Sequence, residues 1–240
     1  VHIPTTDPDF DAIRCLSVPL AEKLNAYADC SAENYPDFKL LYDLLIERLA
    51  ASGSTEGALR AGASFPPFVL PDTDGRLINS KKFLETGSLV ISFNRGHWCP
   101  YCRLELLALE EIYAEVKGLG STIISITPQR IPAASQLKEM CELTFPILCD
   151  IDNAFALECG LMMSIGPTVD QAYQDFGIDL ASDQGNDGLF LPMPATYVVG
   201  RDGMIISDYL HPDFRTRMAP NDILKSLTQL SSKPTGGDIL

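Results

Sequence analysis

The chain has 240 residues, 46% hydrophobic and 21% charged, with 17 Gly and 17 Pro, which excludes a collagen-like, low-complexity or largely disordered protein. Its 18 Lys and Arg stand against 32 Asp and Glu, a net charge of −14 without a compensating basic run, so nucleic acid and anionic membrane surfaces are excluded as partners. No stretch approaches the ~20 apolar residues of a membrane span. The start VHIPTTDPDFDAIRC has neither a basic beginning nor an apolar signal core, so a soluble, cytoplasmic chain is expected, although a start at Val1 rather than Met leaves room for a removed segment. The seven cysteines, at 15, 30, 99, 102, 141, 149 and 159, are odd in number and scattered, which is no disulfide framework.

Residues 17–50 read as two helices, VPLAEKLNAYA and FKLLYDLLIERLA, separated by DCSAENYP. In the second, Leu41, Leu44, Leu45 and Leu49 form an amphipathic stripe, with Asp43, Glu47 and Arg48 on the polar side. The stripe is expected to pack on the main domain, with a partner-binding or homodimer-forming arm as the alternative. ASGSTEG at 51–57 is a loop or linker. FPPFVLPDTDGRLIN then places two apolar runs around Asp74-Gly75, a hairpin signal. SLVISFNRG at 88–96 reads as a strand covered on both faces. The helix at 101–120 follows through Leu104, Leu107, Ile112 and Val116, ending at Gly118 and Gly120. STIISITP is a further strand, IPAASQLKEMCEL a helix, FPILCD a short strand and NAFALECG a short helix. PATYVVGRDGMIISDYL forms a hairpin turning at Asp202-Gly203, NDILKSLTQL at 221–230 a last helix behind Pro220, and SSKPTGGDIL a frayed tail.

This alternation, closed by an antiparallel hairpin and a helix, predicts an α/β chain whose central mixed sheet is flanked by helices. It is the element order of the thioredoxin fold, here with an N-terminal helical extension. The expected organisation is an extension at 1–60, the main domain at 61–230 and a tail at 231–240.

The chemistry concentrates in FNRGHWCPYCRLEL, at a strand–turn–helix junction. Cys99 falls where the helix begins, with Pro100 in the first turn, where a missing N–H costs nothing. Unpaired backbone N–H groups and the positive end of the helix dipole favour its thiolate, and such positions lower a cysteine pKa from ~8.5 to ~3.5–7.5. Cys99 is the expected nucleophile and Cys102, in the same first turn, the resolving thiol. Zinc would want a second pair or suitably spaced histidines, and the remaining cysteines and His2, His97 and His211 provide neither, so no metal is expected. No sequence feature asks for a cofactor.

FNRGHWCPYCRLEL, together with FPPFVLPDTDGR before it and LPMPATYVVGRDG after it, resembles the alkyl hydroperoxide reductase C/thiol-specific antioxidant branch of the thioredoxin superfamily. More narrowly, it is similar to the peroxiredoxin-like proteins carrying R-G-x-W-C-P-Y-C. The resemblance covers roughly residues 60–230 and implies thiol-dependent reduction of peroxides or disulfides, with Cys99 aligned to the peroxidatic cysteine. It also aligns Pro194 with the position that is a cis-proline facing the dithiol in thioredoxins, so that Met193 and Pro194 would wall the site; a trans proline opening a strand is the alternative. Typical peroxiredoxins carry a Thr three residues before the peroxidatic Cys and an Arg at the start of the late strand. This chain has Gly96 and Pro194 there, and the peroxide anchor would have to be rebuilt from Arg95, His97 or Arg103. Trp98 and Tyr101 bracket the cysteines, and Cys149 is the first additional thiol to inspect.

The expected activity is therefore that of a thiol-based peroxidase or disulfide oxidoreductase acting through Cys99 and Cys102 and recharged by a thioredoxin- or glutathione-type reductant. The alternatives are a thioredoxin- or glutaredoxin-like disulfide reductase without peroxidase activity, and a redox-sensing interaction protein. The insert 166–190 ahead of the late strand is expected either to cover the dithiol or to extend the surface.

Overall fold

The structure is a computed structural model and describes residues 8–186 and 189–231. The tail expected to fray at 231–240 lies outside these from residue 232 onward, as do 187–188 of the insert.

Three helices come first, α1 (Pro8–Arg14), α2 (Leu20–Asn34) and α3 (Pro36–Ala51). α1 is too short for its periodicity to show in the sequence. The expected break DCSAENYP shrinks to Tyr35 alone, because Pro36 opens α3 without needing an N–H and keeps Tyr35 out of the helical region (φ −137°, ψ 66°). The buried stripe of α3 is also rotated from the expected one. Tyr42, Leu45 and Leu49 are buried while Leu44 is 53% exposed, since the aromatic ring of Tyr42 is what the core accepts.

A hairpin of β1 (Val69–Pro71) and β2 (Leu77–Asn79) leads through α4 (Ser80–Leu84) to β3 (Leu89–Phe93). The next elements are α5 (Pro100–Gly118), β4 (Thr122–Thr127), α6 (Ile131–Met140), β5 (Ile147–Cys149) and α7 (Ala154–Glu158). β6 (Met162–Ser164) then precedes α8 (Pro167–Asp175) and α9 (Leu180–Gln184), and it pairs with β7 (Phe190–Pro192) beyond them. β8 (Ala195–Val199), β9 (Ile205–Leu210) and α10 (Pro220–Ser231) complete the chain.

The main sheet has the order β5-β4-β3-β8-β9. β3, β4 and β5 run parallel, while β8 is antiparallel to both β3 and β9. Because side chains alternate across a strand, the sheet separates two cores. Leu89, Ile91 and Phe93 pack with Ile124, Ile126 and Tyr197 toward α1–α3, Phe65 and Phe155. Val90, Ile123 and Val198 pack on the other face with Leu106 and Val116 of α5, Leu137 of α6 and Ile223 and Leu227 of α10. The β3 strand is buried at every position, as a run that is apolar except at Ser92 leads one to expect, and the Ser92 hydroxyl is buried with it.

This arrangement aims the end of central β3 at the start of α5 and lays the N-terminal helices over that junction. Tyr27 of α2 meets Tyr101 edge to face at 5.4 Å, and Tyr42 of α3 meets Phe214 of the β9–α10 loop at 4.9 Å. Residues ahead of the main domain thus share its core.

Candidate active site

The turn leaving β3 determines where the first cysteine stands. Asn94 anchors it, its side-chain amide donating to Ser125 Oγ (2.7 Å) and to the Ile126 carbonyl (3.2 Å). Gly96 then adopts φ +131°, which L side chains rarely reach, and a Cβ there would lie 2.7 Å from the Gln129 side chain and 2.9 Å from Trp98 Nε1. The absent Thr of typical peroxiredoxins therefore has no room in this turn. Cys99 N-caps α5 with Pro100 at the first position, and the Cys102 backbone N–H donates to Cys99 Sγ at 3.3 Å.

Both sulfurs are buried free thiols, and each has its own arginine. Arg95, itself wholly buried, donates from Nη2 to Cys99 Sγ at 3.2 Å. Arg217, from the β9–α10 loop, donates from Nη2 to Cys102 Sγ at 3.3 Å. Burial pushes the Cys99 thiol up, but a hydrogen bond from the Cys102 thiol, the charges of Arg95 and Arg217 and the Cys102 backbone N–H outweigh it, and its pKa falls to about 5. Burial, the hydrogen bond to Cys99 and the negative charge of Cys99 hold Cys102 well above the ordinary thiol value. The pair is thus divided into a thiolate at 99 and a thiol at 102.

Arg217 is held by a buried polar cluster. Its Nε donates to Glu105 Oε2 at 2.6 Å, with both side chains almost fully buried. Its Nη1 donates to the carbonyls of Phe214 and Thr216. Ser92 and Thr196, directly paired across β3 and β8, send their hydroxyls to Glu105 Oε1 at 3.2 and 2.9 Å. Burial moves the Glu105 pKa upward against these partners, Arg217 foremost.

Aromatic rings surround Arg95. Its guanidinium carbon lies 4.2 Å from the Phe214 ring centroid, 5.2 Å from that of Trp98 and 5.7 Å from that of Tyr42. Tyr173, on α8 of the insert, packs on Trp98 at 4.9 Å and accepts from Arg95 Nη1 at 3.4 Å. The Tyr173 and Tyr42 hydroxyls lie 3.0 Å apart. The insert therefore covers the dithiol, and the N-terminal extension contributes to the same wall.

Of the residues singled out from the sequence, Cys99, Cys102, Arg95 and Trp98 come together. Arg103 is a correction: one residue past Cys102, it is turned about 100° around the helix and sits over the Phe10 ring at 3.9 Å, away from the dithiol. His97 also points elsewhere, its Nδ1 accepting from Gln129 Nε2 at 2.7 Å while Asp183 of α9 lies 3.6 Å away. This contact ties the active-site turn to the insert. The Met193–Pro194 bond is trans, correcting the expectation of a cis-proline wall. Pro194 precedes β8 in the isomer that X–Pro bonds favour, and the buried Met193 donates its backbone N–H to Leu161 O. Cys149 lies on β5, where burial raises its pKa to about 11. Arg217, Glu105, Tyr42 and Tyr173 were not foreseen. Glu105 alone left a signal, a carboxylate three residues past Cys102 on the buried face of α5. Among the described residues no cluster of three or more potential ligands could hold a metal ion.

A nucleophilic thiolate and a protonated partner at the head of a helix, beside the central strand of a mixed sheet, define a thiol-dependent oxidoreductase. The chain belongs to the AhpC/TSA family, whose profile matches residues 61–207. It is 25% identical over 174 residues to the chloroplastic peroxiredoxin Q of Oryza sativa subsp. japonica, covering 72% of this chain and 69% of that one. It is 22% identical over 156 residues to the thiol-disulfide oxidoreductase ResA of Bacillus cereus, covering 65% of this chain and 72% of that one. Among solved structures, peroxidoxin BcpB of Mycobacterium tuberculosis superposes with a TM-score of 0.56 at 17% identity, over 72% of this chain and 98% of that one. That likeness bears on the fold, which is the thioredoxin fold of the peroxiredoxins.

Proposed function

We propose that the oxidant is a peroxide and that Cys99 is the residue it oxidises. The carrying observation is the buried Cys99 thiolate held 3.2 Å from Arg95 beneath Tyr42, Trp98 and Tyr173. Such a setting suits a small electrophile, because a protein disulfide would have to bring its own sulfur past these rings. The thiolate attacks the terminal peroxide oxygen, the O–O bond breaks, and sulfenic acid forms at Cys99 as the peroxide is reduced to an alcohol or water. The Cys102 thiol then attacks the Cys99 sulfur, water leaves, and a 99–102 disulfide closes. An external thioredoxin- or glutathione-type dithiol returns two electrons by exchange.

Electrostatics supports this order. While Cys99 is a thiolate, its charge is among the influences that keep Cys102 protonated. Sulfenic acid is neutral, so oxidation removes that charge, and Arg217 and Arg95 then favour ionisation of Cys102 at the step that needs it. The C-P-Y-C sequence favours a second reading, direct reduction of protein disulfides.

The test compares peroxide consumption with reduction of a model protein disulfide, using wild type, Cys99→Ser and Cys102→Ser. Peroxide consumption that is lost in Cys99→Ser supports the proposal. Efficient disulfide reduction without peroxide consumption selects the second reading, and undiminished activity of Cys99→Ser in both assays overturns both.

A further inference from the structure

With the usual Thr excluded at Gly96, the Arg95 side chain shows which group takes its place. One terminal nitrogen of its guanidinium faces Cys99 Sγ at 3.2 Å and the other faces Tyr173 Oη at 3.4 Å. The same edge thus carries the nucleophile at one end and a hydroxyl at the other. Its third nitrogen, Nε, is fully buried and has no hydrogen-bond partner among the described residues. A buried unpaired donor costs about 1–3 kcal/mol, so the guanidinium is not fully satisfied by the protein's own groups. Tyr173 Oη in turn has Tyr42 Oη at 3.0 Å, so one phenol can donate onward while the other keeps a partner.

We propose that Tyr173, supplied by the insert, is a catalytic residue that binds the peroxide together with Arg95 and donates a hydrogen bond to the oxygen that leaves. This rests on the peroxide reading above. The peroxide lies along the guanidinium edge with its terminal oxygen toward Cys99. As sulfur gains that oxygen and is oxidised by two electrons, the other oxygen leaves with the bonding pair as hydroxide or alkoxide. Arg95 and Tyr173 hold its charge until it takes up one proton from solvent as product departs. Tyr42 positions the Tyr173 hydroxyl. The insert is fastened for this purpose at its far end, where Gln129 Nε2 donates to Asp183 at 3.0 Å and Arg130 N donates to Asp183 O at 2.8 Å.

Trp98, the single tryptophan, adjoins Cys99, so its fluorescence is the signal followed during oxidation. The test measures the second-order rate constant of oxidation by hydrogen peroxide in stopped flow and, separately, alkylation of Cys99 by iodoacetamide. Alkylation needs the thiolate but no oxyanion partner. Losing a donor to a developing charge predicts that Tyr173→Phe oxidises about 10- to 100-fold more slowly, with its alkylation rate and alkylation pH profile unchanged. Tyr42→Phe shows a smaller loss in oxidation alone. Oxidation of Tyr173→Phe at the wild-type rate, or an equal fall in both reactions, overturns the role of Tyr173 and leaves the peroxide reading standing. A wild-type Cys99 that alkylates readily but does not react with hydrogen peroxide overturns both.

Discussion

Replacing Arg95 by Met keeps most of the side-chain volume and removes both the charge and the donor beside Cys99. At an effective dielectric of about 20, two unit charges 3.2 Å apart attract by roughly 5 kcal/mol, which is an upper bound. A hydrogen bond to an ionised group is worth about 1.5–3 kcal/mol net. At about 1.4 kcal/mol per pKa unit, the net figure carries the Cys99 thiol from about 5 to roughly 6–7. It stops short of the free value because Arg217, the Cys102 thiol and the Cys102 N–H remain. The assay is the pH dependence of Cys99 alkylation by iodoacetamide, followed by peptide mapping so that the other cysteines do not contribute. Wild type should react at a constant rate from neutral pH down to about pH 6 and at half that rate near its pKa, about 5. In Arg95→Met the midpoint moves up. A midpoint identical to wild type would show that the Arg95 charge does not hold the thiolate, and the electrostatic account of the site would fail.

Cys102→Ser should trap the intermediate: after one equivalent of peroxide, Cys99 sulfenic acid accumulates and labels with a dimedone-type reagent, and catalytic turnover stops. Glu105→Leu leaves Arg217 buried without its carboxylate, and loss of one partner of a buried pair costs about 3–5 kcal/mol, read as a lower urea midpoint. Gly96→Thr must distort a turn at φ +131° and displace Gln129 or Trp98, for about 1–3 kcal/mol of stability, again by urea titration, with no gain in peroxide reactivity. The native value of Cys99, about 5, lies below the ~8.5 of an unfolded cysteine, so its ionisation adds stability in full above ~8.5 that is lost as pH falls through about 5. Cys99→Ser should therefore show a shallower fall in stability over that window.

The chemistry of Cys99 was legible because it is local. Its ionisation begins with a helix start, Pro100 and the backbone N–H of Cys102, all within four consecutive residues. Several strands and helices of the main domain were also legible, since β3 is apolar at every position but Ser92 and α5 buries Leu104 and Val116 of its expected stripe, whereas α4 and the insert's β6, α8, α9 and β7 carried no readable period. Periodicity gave the character of α3 but not its orientation, because Leu44 and Tyr42 both fit an apolar face and only the packing against Phe214 and Tyr173 selects the tyrosine.

The residues ahead of the AhpC/TSA segment and the insert illustrate the remaining gap. Tyr42 and Tyr173 are 131 positions apart, yet their hydroxyls meet over Arg95, and no spacing rule connects them. Arg217 reaches Cys102 across 115 positions in the same way. From the sequence, Arg95, His97 and Arg103 were all candidates for the peroxide anchor, Arg95 foremost. What separates them is direction: Arg95 leaves the end of β3 toward the sulfur, while His97 turns to the insert and Arg103 is carried around α5 to Phe10. The sequence by itself determined the fold class, the dithiol and the place of Cys99 at a helix start, because those depend on neighbours along the chain. Only the tertiary structure decided which charges and hydroxyls surround that sulfur, since Coulomb and hydrogen-bond energies depend on distances of a few ångströms that chain separation does not encode.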